Sequence, residues 1–158
     1  MRVYLVRHGN ATAKAEDPER HLSARGRQQV RKVARFLEPL SLHVASIWHS
    51  TKTRAAETAA ILSGTVEAAE GLLERDDLAP DDDIRTVRRD IDRTDDDVMV
   101  VGHLPFLGHL ASTLLAGSDA AKTVKFAESA VACLEGDASS GRRVLWMVTP
   151  DLLPGAAV

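Results

Sequence analysis

Short apolar runs alternate along the chain with segments in which apolar residues recur every three or four positions, the pattern of strands and amphipathic helices taken in turn. Val3-Tyr4-Leu5-Val6 predicts a buried strand over 2–6. Ser23 stands where an N-cap is wanted, because Val30, Val33, Ala34 and Leu37 then fall at i, i+3, i+4 and i+7, and Pro39 ends that helix. Val44 to His49 reads as a second buried strand. Ala55, Thr58, Ala59 and Leu62 repeat the helical spacing up to a stop near Gly64, and a short strand is expected around Val66. Asp81-Asp82-Asp83 looks like the acidic start of a helix whose narrow apolar face is Ile84, Val87 and Ile91. Val98 to Val101 is a third buried strand. Gly102 and His103 follow it, then a helix opened by Pro105, with Leu107, Leu110, Ala111 and Leu114 facing inward and Gly117 as its stop. Two more strands, near 129–135 and 144–149, flank a turn-rich stretch over 136–141. From about residue 150 a surface tail is expected.

Alternating strands and helices predict an α/β fold. No Gly/Ser-rich or Pro-rich linker interrupts the pattern, so 158 residues at 44% hydrophobic are expected to form one domain over 1–158. The net charge of −3, from 20 basic and 23 acidic side chains, gives no general attraction to nucleic acid or to an anionic membrane. Any anion must be recognised locally. The longest apolar runs, such as Val144 to Val148, fall far short of the roughly 20 residues of a membrane span. The apolar start, Val3 to Val6, is too brief for a signal peptide, and a cytoplasmic protein is expected. Cys133 is the one cysteine; it excludes an internal disulfide and, within the apolar Ala130 to Leu134, is expected in the core.

Three strand ends carry polar residues with no cheap packing explanation, and ligands of open α/β sheets bind outside the carboxyl ends of strands. Arg7-His8-Gly9 follows the first strand, Ser50 and then Arg54 follow the second, and Gly102-His103 follows the third. Two guanidinium groups suit a phosphate dianion, since each offers a planar fork of donors to its oxygens. A helix starting near Ser50 would add aligned N–H groups, Gly9 would let a ligand approach closely, and a neutral imidazole between the cations could attack phosphorus. On spacing alone, loop and core histidines remain the competing reading. The six histidines show no paired metal-ligand spacing, and arginines beside them repel a cation, so neither metal nor cofactor is expected. Walker-type and Gly-x-Ser-x-Gly motifs are absent from the sequence.

Four blocks in this order resemble the histidine phosphatase superfamily: Val3 to Ala11 around Arg7-His8-Gly9, Leu22-Ser23-Ala24-Arg25-Gly26, Ser50 to Thr58 around Arg54-Ala55, and Val101 to Pro105 around Gly102-His103. Within it, the chain is similar to the SixA-type phosphohistidine phosphatases from residue 2 to about 149. The resemblance implies a phosphoglycerate mutase-like, three-layer αβα sandwich with a mostly parallel central sheet. It also implies that His8 is the nucleophile that becomes phosphorylated, with Arg7, Arg54 and His103 holding the phosphoryl group and water then releasing phosphate.

Arg20 carries over as a further phosphate contact, although His21 stands where the SixA-type pattern has proline, and Ser50 joins the phosphate-binding set. The proton donor of the wider superfamily corresponds most nearly to Asp77, with Glu74 and Asp76 as competitors. An imidazole leaving phosphohistidine dispenses with a strong acid, whereas an alcohol leaving an ester needs one. Few residues are left for a lid between Arg54 and His103, which favours a phosphorylated side chain of a partner protein. Hydrolysis of protein phosphohistidine is therefore expected. The alternatives are a small phosphorylated metabolite as substrate, or an inactive module that only binds phosphate.

Overall fold

The computed structural model describes residues 1–155. In chain order they form β1 (Arg2–Arg7), α1 (Ala24–Leu37), β2 (His43–Val44), β3 (Ile47–Ser50), α2 (Thr53–Leu62), β4 (Glu67–Ala68), β5 (Leu72–Arg75), α3 (Arg85–Arg93), β6 (Val98–Gly102), α4 (Phe106–Ala116), β7 (Val131–Asp137) and β8 (Gly141–Val148). Six strands make the central sheet in the order β5-β3-β6-β1-β7-β8. The pairs β5-β3, β3-β6 and β6-β1 are parallel, while β7 runs antiparallel to β1 and to β8.

Side chains leave a strand alternately on its two faces, and β1 feeds both halves of the core in this way. Tyr4 and Val6 pack with Val30, Val33 and Leu37 of α1 and with Ala55, Ala59 and Leu62 of α2. Val3 and Leu5 pack on the opposite face with Val87 and Ile91 of α3 and with Phe106, Leu107 and Leu110 of α4. The fold is thus a three-layer αβα sandwich with a mostly parallel sheet, as the family resemblance implies. Ser23 caps α1, its side chain accepting from Gly26 N, and Gly117 closes α4 at φ 74°, a left-handed conformation that favours glycine. Cys133 is buried in the first core half.

Several boundaries differ from those the sequence predicts. The second strand is broken at Ala45-Ser46: β2 pairs with β4 in a separate two-stranded ladder, and only β3 joins the main sheet. Strand β5, absent from the sequence prediction, forms the edge beside β3, and its Leu72 and Leu73 stay exposed. The acidic triplet lies before α3. Asp82 Oδ2 accepts from Ala79 N at 2.8 Å and Asp83 Oδ1 from Arg85 N at 2.9 Å, so these carboxylates shape the turn leading into the helix. The segment expected as a surface tail turns back instead: Pro150–Leu152 form a 3₁₀ turn, Pro150 is buried, and Leu153 packs against the core beneath α1. Among the described residues, no helix is long and apolar enough to cross a membrane.

Candidate active site

Parallel pairing sets Arg7 against Gly102 and His49 against Val101, so the carboxyl ends of β1, β6 and β3 open side by side. His8, Ser50 and His103 meet there. His8 N donates to Gly102 O at 3.0 Å, the rings of His8 and His103 lie 4.9 Å apart between centroids, and His103 Nε2 is 2.8 Å from Ser50 Oγ. Both imidazoles are buried, with relative exposures of 8% for His8 and 1% for His103.

The partner of each ring bears on where it keeps its proton. His8 Nδ1 lies 2.7 Å from Gly9 O, and a carbonyl only accepts, so Nδ1 carries the hydrogen and Nε2 keeps a free lone pair. Ser50 Oγ accepts from Lys52 N at 3.1 Å and has its own hydroxyl proton to give to His103 Nε2, 2.8 Å away. With Ser50 as the donor, His103 holds its hydrogen on Nδ1, a buried atom with no partner among the described residues. Burial drives both rings toward the neutral form. It pulls His8 to about 4, with Arg54 and Arg7 adding to the effect while the Gly9 carbonyl and Glu128 oppose it. His103 falls to about 3, through burial first and then the neighbouring His8, Arg54, Lys52 and Arg20. Near neutral pH the site therefore holds two uncharged imidazoles among fixed cations.

The arginines are held without being neutralised. Arg7 Nη1 donates to Phe126 O at 3.0 Å, but its Nε, like that of Arg54, is buried and unpartnered. Neither guanidinium forms an ion pair among the described residues. Burial, with Arg20 beside it, lowers the proton affinity of Arg54 from its ordinary value. Buried donors without partners are costly, and an anion bound beside them would supply the partners that Arg7 Nε, Arg54 Nε and His103 Nδ1 lack.

The surrounding motif residues are braces. Gly9 N donates to Thr58 Oγ1 at 3.0 Å, and that hydroxyl donates on to Arg54 O at 2.7 Å, tying the loop after β1 to the first turn of α2. Glu57 accepts from Leu22 N at 3.1 Å and pairs closely with Arg27. The sequence reading of Gly9 needs correction. A Cβ there would lie 2.7 Å from Val30 Cγ2, so this glycine admits α1 rather than a ligand. Gly26 does the same from the other side, since its Cβ would meet Asn10 O at 2.0 Å. Helix α2 starts at Thr53 rather than near Ser50, and the Ser50 hydroxyl, committed to His103 and Lys52, orients His103 instead of reaching toward a phosphate.

Arg20 reaches the mouth of the site. Its backbone is left-handed (φ 51°), its Nε donates to Thr12 O at 3.1 Å, and its charge acts on both Arg54 and His103. Asp17 builds the loop that carries it, with Oδ2 accepting from His21 N and from His21 Nδ1, each at 2.8 Å, and from Thr12 Oγ1 at 3.0 Å. His21 thus anchors this loop through its ring. An open cleft of about 610 Å³ lies above, lined by Lys14, Arg20, Lys52, Arg54, Pro80 and Asp82 among others. A more apolar hollow of about 370 Å³, between Leu104 and Phe126, lies to one side of the cations.

Asp77 is not brought into this cluster. Its carboxylate takes Arg75 Nε at 2.8 Å and Nη2 at 2.6 Å, and Arg75 holds it below the ordinary carboxylate range, the reverse of what a proton donor requires. Glu74 and Asp76 line a separate surface hollow with it. Among the described residues, no group of three or more His, Cys, Asp and Glu is gathered to hold a metal. Sequence reasoning missed Asn10, Lys52 and Glu128 at the site. Asn10 lay inside a quoted motif and could have been singled out; Glu128 is 118 positions from its partner Asn10, and nothing local marks it.

Residues 3–78 match the family described as Histidine phosphatase superfamily (branch 1). An uncharacterized protein of Picosynechococcus sp. is 32% identical over 125 residues, 74% of each chain. Phosphohistidine phosphatase SixA of Escherichia coli is 25% identical over 155 residues, 95% of this chain and 94% of its own. A solved structure of the protein histidine phosphatase SixA with tungstate superposes at a TM-score of 0.83, 25% identical, covering 96% of this chain and 99% of that one. The fold extends to a phosphoserine phosphatase of Entamoeba histolytica, TM-score 0.67 and 13% identical, covering 94% and 96%.

Proposed function

The chain belongs to the histidine phosphatase superfamily, and on that premise we propose that it hydrolyses phosphohistidine on a partner protein through a phosphorylated His8. The observation that carries this reading is the set of three buried, unpartnered nitrogens, Arg7 Nε, Arg54 Nε and His103 Nδ1, beside a neutral His8 whose Nε2 is free.

In the first step Nε2 of His8 forms a bond to phosphorus as the bond to the leaving group breaks, its electron pair departing with that group. The Nδ1–H bond to Gly9 O steadies the ring as it gains positive character. Arg7, Arg54 and His103 Nδ1–H receive the phosphoryl oxygens, a charge-stabilising role that needs no rearrangement because these groups already stand in place. In the second step water attacks phosphorus, the pair of the P–N bond returns to Nε2, and inorganic phosphate leaves. Arg20 widens the cationic rim on which the dianion enters.

Substrate choice rests on two features. The cleft is open, because β4, β5, α3 and β6 occupy the chain between Arg54 and His103 and leave little for a lid. Asp77, paired with Arg75, is no proton donor, which suits a leaving imidazole better than a leaving alkoxide. The full-length likeness to SixA supports the same reading. A side-by-side kcat/KM measurement on a histidine-phosphorylated protein and a panel of metabolite phosphates tests it, since that ratio compares transition-state stabilisation directly. Preference for the phosphoprotein is expected. A clear preference for one metabolite ester overturns the substrate assignment, and phosphate binding without turnover of any substrate makes the chain a binding module.

A further inference from the structure

Phosphohistidine loses its phosphoryl group most readily when the ring nitrogen remote from phosphorus carries a proton. P–N cleavage then yields a neutral imidazole instead of an imidazolate. A carboxylate that accepts a hydrogen bond from this N–H favours the protonated ring, and the segment packed against Arg7 and His8 carries a carboxylate with no cationic partner among the described residues.

That group is Glu128. It lies in the segment that grips Arg7 and His8: Phe126 O accepts from Arg7 Nη1 at 3.0 Å, and Ser129 N donates to Arg7 O at 3.1 Å and to His8 O at 3.3 Å. Asn10, two residues beyond His8, donates through Nδ2 to both Glu128 oxygens, at 3.3 and 3.2 Å. Asn10 is itself anchored, its Oδ1 accepting from Ser23 Oγ at 2.6 Å. The Glu128 carboxylate is half-buried, and among the described residues no Lys, Arg or His pairs with it, in contrast to Asp77, whose two oxygens both hold Arg75. Its charge also acts on the His8 ring against those of Arg54 and Arg7.

We propose that Glu128 is a specificity-determining residue that accepts a hydrogen bond from the protonated ring nitrogen of bound phosphohistidine, an inference that rests on the phosphohistidine reading above. As His8 Nε2 bonds to phosphorus, the P–N bond of the substrate breaks and its electron pair stays on the departing nitrogen. The proton on the other nitrogen remains there, held by Glu128, and a neutral imidazole departs. An ester gains nothing from the same carboxylate, because an alkoxide needs a proton that an ionised Glu cannot give and is repelled by its charge.

Glu128→Gln tests this in the full chain, since the amide oxygen still accepts from Asn10 while the charge is gone. The probes are a phosphohistidine-containing peptide and p-nitrophenyl phosphate, whose leaving group needs no proton. The expected result is a fall in the ratio of their kcat/KM values, peptide over ester, by about ten- to a hundredfold, the worth of one charge-assisted hydrogen bond. Glu128→Asp is expected to recover part of that ratio. A parallel fall on both probes would make Glu128 a structural brace, and an unchanged ratio would remove it from substrate choice; either result overturns the inference while leaving the phosphohistidine reading intact. A wild-type chain that cleaves the ester but not the peptide overturns that reading, and the inference with it.

Discussion

At the end of β5, Arg75 is surrounded by its own protein: it donates to Asp77 at 2.8 and 2.6 Å, to Asp90 at 2.7 Å, and lies 4.6 Å from the centre of the Trp48 ring. Across the same sheet edge, Arg7 and Arg54 have no carboxylate partner among the described residues, and each keeps a buried, unpartnered Nε. The carboxylates raise the proton affinity of Arg75, whereas burial lowers that of Arg54. Two kinds of arginine thus stand on one scaffold. One is satisfied within the fold and stabilises it; the other is kept short of partners, at some cost in stability, and under the proposed function an external anion completes it.

Substitutions should separate the two clusters by their readouts. The largest effect is expected from Arg54→Ala, which removes a preorganised phosphoryl contact and should lower kcat by about a hundred- to a thousandfold while thermal stability holds or rises. Arg54→Lys should recover only part of that, since a single ammonium does not reproduce the planar fork. Near-normal turnover in Arg54→Ala would erase the distinction between the clusters.

Arg75→Ala should do the opposite. Loss of two part-buried ion pairs and a contact with Trp48 is expected to cost about 2–3 kcal/mol in a denaturant titration, with kcat kept. A kcat collapse in a stably folded Arg75→Ala chain would draw Arg75 into the site.

Acid sharpens the contrast by its sign. His8 and His103 sit at about 4 and about 3 in the fold against an ordinary 6.5, so between those values and 6.5 the unfolded chain binds more protons. Stability should therefore fall as pH drops below 6.5 toward 4, and should fall less in His8→Ala, as urea midpoints over that range will show. Asp77, held below 3.8 by Arg75, loses its contribution only at lower pH, as the carboxylate protonates. The smallest effect is expected from Asp77→Asn, which should leave turnover of a phosphohistidine substrate near wild type, measured as kcat/KM.

Much of the receptor side of this comparison was legible in the sequence. Strands β1 and β6 are continuous apolar runs that end abruptly in Arg7-His8 and Gly102-His103, and Arg54 follows β3 within a turn of helix, so local pattern alone put the cations at strand ends. The satisfied side was not legible. Strand β5 is an edge strand with exposed Leu72 and Leu73, and its residues lack the alternation that marks a half-buried strand. Without β5 in place, the pairing of Arg75 with Asp77 and with Asp90, 15 positions away, was invisible, and Asp77 stood as the proton donor that the resemblance implies. Gly9 misled for a similar reason, since its crowding comes from Val30 on a helix the local sequence does not show in contact. Residues defined by distant partners, such as Glu128 with Asn10, require the fold.

The most direct test of the account is the chemical identity of the phosphorylated enzyme. Wild type and His8→Ala are mixed with a phosphoryl donor, quenched in alkali and mapped by peptide mass spectrometry. A phosphoryl group is expected on His8 of the wild type, stable in base and lost in mild acid, and none in the folded variant. A phosphoryl group on another residue, or labelling that survives in His8→Ala, would contradict it.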